Sequence, residues 1–233
     1  MNELLEIVNL TKIYEKRKIA VNQMNLTLPR GRIVGLLGPN GSGKTTLIKM
    51  ISGLLVPNEG TIRINGIEPG PKTKSMISYL PEKTYFRESM RVEQLITYFA
   101  DFYSDFNTQK ALEMLQNLQI DISRPLKTLS KGTKEKVQLI MVMSREAQLY
   151  LLDEPIAGVD PAARDYILKT IITNYNENAS ILISTHLISD IENVLDDVVF
   201  VRDGRVLQAD TVENIRTTKG KSVDQYFREV FAC

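Results

Sequence analysis

Gly38-Pro39-Asn40-Gly41-Ser42-Gly43-Lys44-Thr45 decides how this chain is read. The stretch fits G-x-x-x-x-G-K-[ST] and has the context that pattern needs: the apolar run Ile33 to Leu37 comes before it, and a helical run, Thr46 to Ile51, follows and ends at Gly53. Glycines are required because several backbone N–H groups must converge on phosphate oxygens with no side chain in the way. The helix that follows adds partial positive charge at its N-terminus. Gly38, Pro39, Asn40, Gly41, Ser42, Gly43 and Thr46 are therefore expected around the phosphates. Lys44 is expected to reach the β- and γ-phosphates, and the Thr45 hydroxyl to ligate Mg²⁺.

A phosphate loop needs an acid to organise the metal, and Leu149-Tyr150-Leu151-Leu152-Asp153-Glu154 supplies one at the end of an apolar strand. Asp153 is expected to orient magnesium through water. Glu154, one residue further, is placed to polarise a water for in-line attack on the γ-phosphate, the general-base role. An isolated Asp-Glu-Pro reads as a polar strand exit; the loop upstream gives it a chemical reading.

Working outward, Leu5 to Val8, Val21 to Leu28 (apolar at Met24, Leu26 and Leu28) and Thr61 to Asn65 before Gly66 read as strands of a β-rich opening lobe, the Asn-Gly pair favouring antiparallel pairing. From Arg91 to Leu118 the apolar spacing becomes helical, at Val92, Leu95, Ile96, Phe99 and Tyr103, then at Leu112, Leu115 and Leu118 after a break at Asn107 and Thr108. After Pro125 come a helix near Lys134 to Ala147, a buried strand Leu149 to Leu152, a helix near Ala162 to Tyr175 and a buried strand Ser180 to Ile183. Alternating strands and helices predict a mainly parallel sheet covered on both faces. Val198 to Val201 and Val206 to Gln208 read as a closing hairpin around Asp203-Gly204, and the tail after Thr217 as too polar and short for a further domain. The expected class is α/β: a P-loop NTPase core with a mainly parallel sheet, an N-terminal antiparallel β lobe and a helical insertion. The expected division is 1–82 plus 126–233 for the core and 83–125 for the helical subdomain.

Composition removes several function classes. With 233 residues and 43% hydrophobic content, the chain builds one large domain or a domain with a lobe. Its 29 basic and 28 acidic residues leave a formal charge of +1, so nucleic acid is not an expected partner. The opening Met1-Asn2-Glu3-Leu4-Leu5-Glu6 is acidic where a signal peptide is basic, and Val137 to Met143, among the longest apolar runs, is far short of the roughly 20 residues a spanning helix needs. A single cysteine, Cys233, suits a reducing cytoplasm.

Leu129-Ser130-Lys131-Gly132-Thr133 lies between the phosphate loop and the acidic strand, and at this point the chain resembles the ABC ATPase family, which carries a Leu-Ser-Gly-Gly-Gln signature there. The resemblance runs along nearly the whole chain in family order: Tyr14, the loop, Glu82, the signature, Asp153-Glu154, Asp160 and His186. It implies an ATPase that uses ATP and Mg²⁺ and drives a separate integral membrane subunit from the cytoplasmic face of the cell membrane. It further implies that Tyr14 stacks on adenine, a contact worth ~1–3 kcal/mol when bases stack on aromatics. Glu82 would join Thr45 and Asp153 around the metal, and His186 would hold the γ-phosphate and attacking water beside Glu154. Ser130 and Gly132 would meet the ATP held by a second ATPase subunit, identical or different, with Asp160 linking the two sites at the subunit contact. The chain departs from the family at Glu82, where glutamine is usual, at Lys131 and Thr133 in the signature, and in Ala157-Gly158-Val159 before Asp160. The wording around Tyr79-Leu80-Pro81-Glu82 and the signature looks most like bacterial export systems for drugs or antimicrobial peptides. Two other readings remain at this level: a soluble ATPase acting on ribosomes or DNA, and a regulatory module that binds nucleotide without hydrolysing it.

Overall fold

The computed structural model describes residues 3–15, 18–157, 159, 161–174, 176 and 178–232. In chain order these form β1 (Glu3–Ile13), β2 (Ile19–Pro29), β3 (Ile33–Leu37), α1 (Lys44–Ile51), β4 (Glu59–Ile64), α2 (Pro71–Met76), β5 (Ile77–Leu80), α3 (Val92–Phe102), α4 (Thr108–Asn117), α5 (Lys131–Met143), β6 (Leu149–Asp153), α6 (Pro161–Asn174), β7 (Ser180–Thr185), α7 (Ile188–Ile191), β8 (Asp197–Arg202), β9 (Arg205–Thr211), α8 (Val212–Lys219) and α9 (Val223–Phe231). They make an antiparallel sheet in the order β2-β1-β4 and a six-stranded sheet in the order β5-β6-β7-β3-β8-β9.

The two sheets differ in how the sequence specifies them. In β2, Met24, Leu26 and Leu28 are buried and alternate with exposed neighbours, the pattern of a sheet with one dry face. In β3, β6 and β7 every residue is buried, because one face packs on α1 and the antiparallel sheet and the other on helices from α5 onward. All neighbours in the large sheet pair in parallel except β8 with β9, the expected hairpin. Register then places the functional ends together: Leu37 lies opposite Thr185, and Asp153 opposite Ser184. Residues that follow β3, β6 and β7 thus emerge side by side at the C-terminal edge of the sheet, where ligands bind in open α/β sheets.

Asn65 and Gly66, at φ 52° and 75°, make the expected tight turn, although it closes only the single Ile64–Ile67 bridge and β4 pairs with β1. The helix α5 starts at Lys131 and ends at Met143, several residues earlier at each end than its apolar spacing suggests. Ser130 caps it by accepting from the Thr133 N–H at 3.2 Å, and after the cap at Ser144 the chain turns to bond α4's entrance instead, Asn107 N–H to Ser144 O at 2.8 Å. The tail packs back onto the core: α9 carries a capping box at Ser222 and sets Phe227, 5.5 Å from the Phe200 ring, onto the sheet.

The helices α3, α4 and α5 share an apolar cluster that includes Leu95, Phe99, Leu115 and Ile140. One buried arginine joins this layer to the large sheet. Arg145, 2% exposed, forks onto Asp105 at 2.9 and 3.0 Å, donates to the carbonyls of Ser75 and Ile77, and lies 3.8 Å from the Tyr103 ring centroid. Bidentate pairing and stacking of this kind suit guanidinium and not ammonium. Among the described residues, no helix is long and apolar enough to cross a membrane.

Candidate nucleotide site

The phosphate loop is fixed by what surrounds it. A Cβ on Gly38 would stand 2.3 Å from the Val201 carbonyl oxygen of β8, and one on Gly43, at φ 106°, would stand 2.3 Å from the Ala20 carbonyl oxygen of β2. Neither backbone can retreat without breaking a sheet, so both positions require glycine. α1 begins directly after the loop, at Lys44. The Lys44 side chain is buried, and its ammonium donates to the carbonyls of Gly38 at 2.7 Å and Pro39 at 3.2 Å, with Glu154 Oε1 at 3.8 Å. Burial pulls the lysine below its ordinary pKa, opposed by the charges of Glu154 and Asp153.

Asp153 ends β6 at 1% exposure. Its Oδ1 accepts from Thr45 Oγ1 at 3.0 Å and from Ser184 Oγ at 2.6 Å, while its Oδ2 is buried with no hydrogen-bond partner. Burial raises this carboxyl above its ordinary range; the Ser184 and Thr45 hydrogen bonds oppose the rise, and the charges of Glu154 and Glu82 add to it. An unpaired carboxylate oxygen beside a threonine hydroxyl is a hard-oxygen pair of the kind that suits magnesium.

Glu154 leaves the strand at φ 51°, a left-handed conformation unfavourable for a side-chain-bearing residue and costing ~1–3 kcal/mol. Its N–H meets Ser184 O at 3.0 Å and Ser184 Oγ at 3.1 Å, which holds the turn. The turned carboxylate reaches Lys44 with one oxygen and His186 Nδ1, at 3.0 Å, with the other. A proton on Nδ1 makes the imidazole the donor in this pair.

Gly43, Lys44, Thr45, Glu154 and His186 open onto a cleft of about 580 Å³ that is also lined by Tyr14, Lys18, Ala20, Asn40, Gly41, Thr46, Glu82 and Ala157, with Asp153 behind it through Thr45. Tyr14 is 41% exposed on its rim, its hydroxyl 3.4 Å from Thr46 Oγ1. Ser42 is turned inward, 3% exposed, with an unpartnered hydroxyl. The structure therefore brings together the loop, Asp153, Glu154, His186, Glu82 and Tyr14. It does not bring Ser130 and Gly132 to this cleft: they open α5, and Ser130 lines a separate depression with Thr133 and Lys136. Asp160 lies outside the described residues. Ser184, which bonds both acids, and Lys18 escaped the sequence reading; a serine ending an apolar strand was the one available signal for the former.

The profile of the family described as ABC transporter matches residues 21–157. That span covers the loop, Glu82, the signature and both acids. The chain belongs to the ABC transporter family. It is 30% identical over 216 residues to the ABC transporter ATP-binding protein YtrB of Bacillus subtilis (strain 168), covering 91% of this chain and 74% of YtrB. It is 29% identical over 212 residues to the SkfA peptide export ATP-binding protein SkfE of the same organism, covering 88% of each. A solved structure described as an ATP-binding subunit of an ABC transporter superposes with a TM-score of 0.86 at 31% identity, over 97% of this chain and 99% of that one. As an ABC ATPase the chain is an ATP-binding subunit that couples ATP hydrolysis to transport.

Proposed function

We propose that this subunit hydrolyses ATP with Glu154 as general base and powers an exporter. The observation that carries the catalytic part is the single connected network Thr45–Asp153–Ser184–Glu154, joined through Glu154 to Lys44 and His186. In this reading Lys44 leaves its loop carbonyls for the β- and γ-phosphates, and Tyr14 covers the adenine. Glu154 takes the proton of the attacking water while His186 holds its carboxylate in place. Thr45, Asp153 and Glu82 hold Mg²⁺, which supplies charge neutralisation across the phosphate oxygens. Asp153 Oδ2, otherwise an unpaired buried acceptor, supports that assignment.

Ser130 and Gly132 do not line the chain's own cleft, which supports their meeting the nucleotide of a second ATPase subunit, with Asp160 at the contact. ATP then closes the pair of subunits and hydrolysis releases them. The export direction rests on the likeness to SkfE and on the sequence wording around Glu82 and the signature. The membrane subunit docks, in this reading, at the cytoplasmic face of the membrane, in a groove of about 480 Å³ beside the Glu82 loop whose apolar floor includes Ile77, Tyr79 and Tyr103 and whose rim carries Lys49, Lys74 and Lys83. We divide the chain into a core, 1–82 and 126–233, and a helical subdomain, 83–125, that pivots at this groove.

Glu154→Gln keeps the shape and removes the base, so it is expected to lower turnover by roughly 10²–10⁴-fold and to accumulate an ATP-bound dimer seen by size-exclusion chromatography. Unchanged steady-state phosphate release would remove Glu154 from this role. For the partner, gentle detergent extraction of the tagged chain from its host is expected to recover a multi-span membrane protein in stoichiometric amount. Recovery of ribosomes or nucleic acid instead would end the transporter-docking reading.

A further inference from the structure

The loop that carries Glu82 is tied to a second element by a residue the catalytic reading does not use. Leu80 ends β5, Pro81 leaves the sheet, and the Pro81 carbonyl accepts from Gln138 Nε2 of α5 at 3.3 Å. Gln138 is 2% exposed and stands between the buried Val137 and Leu139. An apolar side chain would fill that position without the desolvation cost of a buried amide that loses its partner, so packing alone does not account for a glutamine.

Two further residues on the same helix face the same loop. Glu135 lines a small cavity, about 30 Å³, together with Glu82, Glu154 and Gln138. Lys134, one turn from Gln138, holds Glu88 at 2.7 Å. The segment from Pro81 to Glu88 thus rides on α5, where Phe86 packs on the cluster that holds Val137 and Ile140 and Gln138 adds a part-buried hydrogen bond to Pro81. The N-terminus of this helix is capped by Ser130, eight residues before Gln138 and ~12 Å along the axis at 1.5 Å per residue. Packed helices shift as units, so a displacement of the loop is delivered at Ser130.

We propose that Gln138 is a positioning residue that couples the Glu82 loop to α5, so that loading the chain's own cleft sets how its Ser130 meets the nucleotide of the other subunit. The inference rests on the reading above, in which Glu82 attends the metal and γ-phosphate and Ser130 serves a neighbour. It predicts a split: ADP, which lacks the γ-phosphate, binds the cleft without needing the coupling, whereas ATP-driven dimer closure needs it.

The test uses the full chain carrying Glu154→Gln, alone and combined with Gln138→Met, which keeps the length and apolar bulk and removes the donor. Gln138→Asn, which keeps the amide but withdraws it by one methylene, is read in parallel in case the first variant folds poorly. ADP affinity is measured by calorimetry, and dimerisation against MgATP by analytical ultracentrifugation. The expected result is an ADP affinity within about twofold of the parent and a dimerisation constant weakened about tenfold, a coupling of ordinary allosteric size. Unchanged dimerisation in a folded variant overturns the proposal. So does an equal loss of ADP affinity and dimerisation, which marks Gln138 as merely structural. A parent that binds ATP yet stays monomeric fails at the shared-nucleotide reading itself, and takes this inference with it.

Discussion

The phosphate loop and the start of α5 are both glycine-containing turns that open a helix, yet they are built on opposite terms. At the loop, Gly38 and Gly43 are pressed against the backbones of β8 and β2, Lys44 is buried, and Asp153 keeps a buried oxygen without a partner. At α5, Ser130 satisfies its own helix, Lys131 is 79% exposed, and a Cβ on Gly132 would meet nothing within 4 Å. The loop is close-packed and desolvated because, in the proposed cycle, its own chain supplies the lysine, the acids and the metal ligands of the reaction. The start of α5 is relaxed because its partner, in the proposed cycle, arrives from outside.

That contrast is broken most directly by glycine-to-alanine changes. Gly38→Ala places a methyl 2.3 Å from a strand carbonyl that cannot yield, and is expected to cost at least ~3 kcal/mol of stability by chemical denaturation or to leave the chain insoluble. A stable, nucleotide-binding Gly38→Ala protein would show that the loop has freedom its packing denies. Next in size is Ser184→Ala. It removes the hydroxyl that donates to Asp153 and accepts from the Glu154 N–H, although the Ser184 carbonyl still accepts from that N–H. Turnover is expected to fall roughly tenfold through misplacement of the two acids, with ADP affinity little changed. Full activity would mean that the Glu154 turn is held by backbone alone.

What could be read from the sequence follows the same division. β3, β6 and β7 were legible because strands buried on both faces are continuous apolar runs, and the loop because its glycines, lysine and threonine are fixed in spacing by the chemistry. Glu154 and His186 were legible as neighbours, but not the atoms that meet across 32 residues, Oε2 of the one and Nδ1 of the other. Arg145 was invisible for a related reason: it ends an apolar helix in the sequence, and its role depends on Ser75, 70 residues away, and Asp105, 40 residues away. The tail is too short for a further domain, as its polarity suggests, but the packing of Phe227 and Phe231 on Phe200 was not legible because α9 is apolar on one stripe only. Gln138 sits inside the apolar run Val137 to Met143, and its partner, the Pro81 carbonyl, lies 57 residues away.

The smallest expected effect sharpens the comparison most. Gly132 lies in the first turn of α5 with open space around it, so alanine there adds helix propensity and no clash, and Gly132→Ala is expected to leave stability unchanged or raise it by up to ~1 kcal/mol. In an isolated chain nothing else would follow. If the backbone of this turn closes on a neighbour's phosphates, however, the added methyl stands between the N–H groups and their ligand. Phosphate release should then fall severalfold while the chain's own cleft binds ADP as before. A variant that is stabilised and equally active would leave Gly132 as an ordinary helix residue, and would place the contact between subunits on Ser130 and the side chains around it instead.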